Sequence, residues 1–111
     1  MLNHREKRRY LAVMYEGDIF FQPNQMHEKI VSRFKELFGF LHAELAFLKL
    51  YDSELDSILF IGCKLKYLDD LLVSLSMTQP SLTVVSLSGT LKKLRKNVAR
   101  LNIGNIKNNA N

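Results

Sequence analysis

The sequence holds one cysteine, two prolines, five glycines and no tryptophan in 111 residues. The lone Cys63 excludes an intrachain disulfide and a cysteine-built zinc site, and suits a reducing compartment. No glycines stand at phosphate-loop spacing, which removes the Gly-rich nucleotide loops. No apolar run approaches the roughly 18 residues of a membrane span. The apolar run at 11–15 is cut by Glu16 and Asp18, too early for a signal-peptide core. What remains is 47% apolar and 24% charged, a globular composition of one domain's length. The expectation is a soluble, intracellular, single-domain protein.

Charge is informative once located. The net is +5, from 16 Lys and Arg against 11 Asp and Glu. Residues 1–10 carry +3 through Arg5, Lys7, Arg8 and Arg9 against Glu6. Residues 88–101 carry +5 through Lys92, Lys93, Arg95, Lys96 and Arg100, with no acid among them, Lys107 adds +1, and 11–87 are −4. The positive excess thus sits at both ends of an otherwise acidic domain. Segregation of that kind points to a polyanionic partner, nucleic acid first and an anionic membrane surface second. The plain alternative is a solvated basic helix with a basic tail.

Hydrophobic periodicity alternates between strand-like and helix-like stretches. Residues 9–15 read as a strand. Pro23 and Asn24 open a helix, with Asn24 as N-cap and Met26, Ile30, Phe34, Leu37, Phe38 and Leu41 as its apolar stripe. Gly39 suits the left-handed position that closes it. Residues 45–51 and 58–63 are apolar runs joined by the polar 52–57, a β-hairpin. A second helix covers 66–77, a fourth strand 82–87, and a last helix carries Leu91, Leu94, Val98 and Leu101 as a narrow stripe. The Asn-rich 102–111 lacks periodicity and is expected to fray. The division is therefore a basic arm at 1–8, one domain at 9–101 and a tail at 102–111.

The order β-α-β-β-α-β-α specifies an α+β, ferredoxin-like split-βαβ sandwich, a four-stranded antiparallel sheet with an added C-terminal helix. Ile58-Leu59-Phe60-Ile61 and Leu11-Ala12-Val13-Met14 are apolar at both parities, so both faces of the sheet are expected to be covered. Either the last helix covers the second face, or uncovered apolar sheet marks a protein-binding surface.

No catalytic constellation stands out. His4, His27 and His42 have no metal-ligand spacing and read as ordinary surface residues. Cys63 reads as a small buried hydrophobe. Asp52, Glu54 and Asp56 form a candidate two-metal nuclease cluster, set against the reading of a wet hairpin tip. Asp69 and Asp70 suit a helix start. The strongest local signal is Ser88-Gly89-Thr90-Leu91-Lys92-Lys93. There a strand ends, a hydroxyl caps a helix, and lysines in the first turn fit a bound phosphate.

Arg8-Arg9-Tyr10-Leu11-Ala12, Phe34-Lys35-Glu36-Leu37-Phe38-Gly39, Cys63-Lys64 with Lys66-Tyr67, and Ser88-Gly89-Thr90-Leu91-Lys92 run in order over residues 8–97. Together they resemble the ribonuclease P protein component 2 family of archaea, whose eukaryotic counterpart is a small subunit shared by ribonucleases P and MRP. The resemblance implies an RNA-binding-domain-like sandwich that helps a catalytic RNA trim 5′ leaders from precursor tRNA. It also implies partnership with the barrel-shaped protein component 3 and other subunits, for example as a heterotetramer. Its compartment would be cytoplasmic, or nuclear in a eukaryote.

The third strand carries one aromatic and no base before its end, so base reading across the sheet is not expected. Backbone contact with RNA falls instead to Arg5, Lys7, Arg8, Arg9, Lys64, Lys66, Ser88, Thr90, Lys92, Lys93, Arg95 and Lys96. Met14, Phe47, Phe60 and Leu91 are assigned to a protein partner. The chain itself is expected to hold no catalytic residue, metal or cofactor, Mg²⁺ belonging to the catalytic RNA. The rival reading is a homo-oligomeric ferredoxin-like ligand-binding domain with no RNA role.

Overall fold

A computed structural model describes residues 7–15, 22–55, 57–79 and 81–109, with side chains as far as Leu101. The elements in chain order are β1 (Arg8–Tyr15), α1 (Pro23–Phe38), α2 (Phe40–Ala46), β2 (Lys49–Tyr51), β3 (Ile58–Lys64), a 3-10 turn (Leu65–Tyr67), α3 (Leu68–Ser76), β4 (Leu82–Ser88) and α4 (Leu91–Asn109). The sheet order is β2-β3-β1-β4, with every neighbour antiparallel. This is the expected ferredoxin-like arrangement, with β1 and β3 at its centre.

Two cores flank that sheet. On one side Leu11, Val13 and Tyr15 of β1 and Leu59, Ile61 and Cys63 of β3 meet Met26, Ile30 and Phe34 of α1 and Leu71 and Leu75 of α3. On the other, Ala12 and Phe60 meet Leu94 and Val98 of α4. The double-parity apolar strands are therefore explained by helices on both faces. No helix among the described residues is long and apolar enough to cross a membrane.

Four expectations change in detail. The first strand begins at Arg8, where the ladder with Lys64 starts, so that residue belongs to the sheet rather than to an arm. The N-cap of α1 is Gln22 instead of Asn24, because Pro23 takes the first helical position, where its missing N–H costs nothing. The run at 45–51 divides: Leu45 and Ala46 finish α2, Phe47 turns the chain with φ 52°, and Lys49–Tyr51 alone pairs with β3. A short apolar run carries no period able to separate helix from strand, so the boundary within 45–51 is set by tertiary pairing. Last, the backbone of α4 continues to Asn109, through most of the segment expected to fray.

Leu94 is fully buried against the sheet, and its removal leaves a cavity over Phe60. Leu94→Ala is expected to lower unfolding stability by about 2–5 kcal/mol. Urea denaturation checks this through a reduced midpoint at unchanged slope; an unmoved midpoint would make α4 a loose appendage.

Candidate nucleic-acid interface

The start of α4 is built by its own side chains. The Thr90 hydroxyl oxygen accepts the Lys93 N–H at 3.1 Å, and the Ser88 hydroxyl oxygen accepts the Thr90 N–H at 3.3 Å. Both hydroxyls expected to hold a phosphate are thus engaged in capping. Ser88 is 6% exposed and is removed from the RNA-contacting set for that reason. Thr90 stays exposed, with its hydroxyl hydrogen still able to donate.

Beyond the cap, the apolar stripe presses against the sheet and turns the bases outward. Lys92, Lys93, Lys96 and Arg100, with Thr90 and Asn97, line a shallow cleft of about 300 Å³. None of these four cations pairs with a carboxylate among the described residues. Arg95 differs from its neighbours. Its guanidinium donates to the Asp52 carbonyl at 3.3 Å and sits 6.0 Å from the centre of the Phe60 ring, tying α4 to the hairpin loop. On the opposite flank the Asn97 amide donates to the Ser86 hydroxyl at 3.4 Å.

The other basic segment arrives at the same end of the sheet. Strand register places Arg8 opposite Lys64 and Tyr10 opposite Ser88. Arg9 donates to the Arg8 carbonyl at 2.8 Å and lies beside Gly89. The Lys7 carbonyl accepts the Leu65 N–H at 2.7 Å, bringing Lys7 alongside Lys64 and Lys66. Arg5 lies outside the described residues. Like charges facing each other across a ladder are unfavourable, and an anion between them relieves that cost.

The residues assigned to a protein partner separate. Met14 and Phe47 are exposed, Phe47 at 56%, and Leu91 is half-buried against the α4 core. Phe60 is corrected: at 1% exposure beneath Leu94 and Val98 it fills the second core rather than offering surface to a partner. The apolar surface that sequence reasoning missed lies on α2, where Phe40 and Leu41 are 65% and 71% exposed beside Leu37 and Leu45. The signal was available in Gly39, whose φ of 95° breaks the stripe before Leu41 and swings it outward.

The architecture recurs in a solved structure. A chain of the cryo-EM structure of yeast Ribonuclease MRP matches over 96% of this chain and 97% of its own, with a TM-score of 0.53 and 11% identity. At that identity the likeness is one of fold. No protein-family model and no curated protein matches the chain.

Of the groups weighed for chemistry, His42 and Asp52 are engaged in structure. His42, expected on the surface, is half-buried and pairs with Asp70 at 2.6 Å. Its ring stacks on Phe34 and meets Tyr67 edge-on at 4.7 Å. His27 is half-buried on α1, where desolvation lowers its pKa and Glu28 opposes the shift. His4 lies outside the described residues. In the hairpin loop the Asp52 carboxylate accepts the Glu54 N–H at 3.0 Å, and Asp56 is outside the described residues. No three metal-ligating side chains converge among the described residues.

Burial pushes the Cys63 thiol up to about 11 from 9.0, with the Arg8 charge pulling the other way. Because the folded pKa is raised, the contribution to stability is complete below pH 9 and is lost as pH rises towards 11. Denaturation midpoints are expected to fall across that window in wild type and to fall less in Cys63→Ala. Iodoacetamide at pH 8 should modify the thiol slowly in the native protein and rapidly in urea.

Proposed function

We propose that the chain is a non-catalytic, RNA-binding protein subunit of an RNA-processing endoribonuclease of the ribonuclease P and MRP kind. In that role it supports removal of 5′ leaders from precursor tRNA, while chemistry and the Mg²⁺ it needs belong to the RNA. The observation that carries this reading is the outward basic face of α4, without carboxylate partners among the described residues and set at the same sheet end as Arg8 and Lys64. The ordered motifs of the sequence and the fold shared with a chain of yeast Ribonuclease MRP support it.

Mechanistically, Lys92, Lys93, Lys96 and Arg100 neutralise successive phosphates and release their counterions. Such contacts position an RNA without reading its sequence. Neutralisation lets RNA segments approach one another and reduces the divalent-ion concentration needed for compaction. With α4 closing the sheet, a protein partner such as component 3 has the apolar ridge of Leu37, Phe40, Leu41 and Leu45 available instead.

The test is equilibrium binding of the full chain to a structured ribonuclease P RNA across a salt series. Neutralising about five phosphates gives a log–log slope of roughly −3.5 to −4.5. Affinity should then fall roughly a hundredfold or more between about 50 and 200 mM salt. Replacing Lys92, Lys93 and Lys96 with Ala should make the slope shallower by roughly 2 to 3, with the circular-dichroism melt unchanged because all three are exposed. A flat salt response together with a stable homodimer would overturn the RNA reading in favour of a self-associating domain.

A further inference from the structure

Where α4 ends its cover of the second sheet face, an open corner gathers rings and cations. Tyr10 on β1 and Tyr51 on β2 meet edge-on at 5.6 Å across β3. They can do so because the residue between them is Gly62. A Cβ there would lie 2.9 Å from Tyr51 Cε2, 3.0 Å from Arg8 Nη2 and 3.1 Å from Tyr10 Cδ1. The gap in β3 lets three side chains converge over bare backbone.

Arg8 is held in that corner. Its guanidinium donates to the Phe47 carbonyl at 3.1 Å and lies 5.3 Å from the Phe47 ring centre and 5.9 Å from that of Tyr10. Lys49, opposite Gly62 in the ladder, places its ammonium 5.4 Å from the Tyr51 ring. Neither Arg8 nor Lys49 pairs with a carboxylate among the described residues. Phe47 itself has φ 52° and ψ 57°, a costly conformation for an aromatic residue, and its ring stands 56% exposed. Folding gains little from an exposed ring held in a strained backbone, and such strain collects at binding sites.

We infer that this corner receives an unpaired nucleotide of a single RNA strand, its base stacked on Phe47 and its flanking phosphates on Arg8 and Lys49. The inference rests on the RNA reading above and extends it from backbone neutralisation to base stacking. An acidic peptide would satisfy the two cations, but it has no flat π-face to match rings already arranged around a guanidinium. A nucleobase has one, and stacking of this kind tolerates any sequence. A paired duplex keeps its bases inside and can use the cations alone.

The test uses the full chain, a short single-stranded RNA carrying 2-aminopurine, and the same RNA paired with its complement. Phe47→Asn removes the ring and also suits the left-handed backbone, so the variant should fold at least as stably as wild type. Phe47→Leu keeps an apolar side chain and the strain while removing the π-face. Wild type should quench 2-aminopurine fluorescence in the single strand. Both variants should lose that quenching, and Phe47→Asn should lose roughly 5- to 150-fold in single-strand affinity with duplex affinity nearly unchanged. Equal effects on single strand and duplex, or 2-aminopurine fluorescence that wild type leaves unquenched in a bound single strand, would overturn the inference. If RNA still binds with a steep salt slope while both variants match wild type, stacking alone is overturned and the basic face of α4 stands. Absence of any RNA binding overturns both.

Discussion

Leu94 and Val98 settle α4 onto Phe60 and Ala12, and most of what the molecule presents outward follows from that contact. A helix stripe this narrow leaves the remaining faces of α4 to solvent, so its lysines project together rather than around a cylinder. The same contact covers the middle of the sheet, which removes the flat apolar surface that the double-parity strands suggested. It also leaves the corner above Gly62 open, because α4 crosses towards the β2–β3 loop, where Arg95 ties it to Asp52. One packing event therefore divides the second face into a closed core and an open, ring-lined margin.

The central strand supplies the second organising constraint. Pairing of β1 with both β3 and β4 fixes Arg8 beside Lys64 and Tyr10 beside Ser88. Basic segments separated by some eighty residues of sequence become neighbours at one end of the sheet. Side-chain capping by Thr90 fixes the start of α4 close to that end, since its first turn follows the last residue pair of the ladder after only Gly89 and Thr90. Electrostatic attraction falls away within a Debye length of about 8 Å in physiological salt, so the closeness of these cations matters more than their number.

On the opposite side, a cluster of Phe34, Phe38, His42 and Tyr67 rings anchors α2, with the Asp70 carboxylate on His42. Because the inner side of this short helix is committed to that cluster, Phe40 and Leu41 have no core to enter and remain outside. His42, half-buried in that cluster, is part of what displays an apolar ridge. A surface of that kind is costly in water unless another protein covers it.

Strand and helix periods, Gly39, and the clustered charges at 88–101 were enough to establish the ferredoxin-like order and the basic character of α4, because each is a local property of neighbouring residues. Local pattern failed at 45–51, where seven largely apolar residues fit a strand or a helix end equally well until pairing with β3 chose three of them. It failed again at Phe60, whose burial depends on a helix that begins only later in the chain, and at Ser88, whose hydroxyl accepts the Thr90 N–H. The meeting of Arg8, Tyr10, Phe47 and Tyr51 around Gly62 was beyond reach of any spacing rule, since their approach is set by strand register and by a missing Cβ. Composition and periodicity decided which elements form and where charge is carried. Tertiary packing decided which side chains face water together, because that depends on distances that sequence separation does not encode.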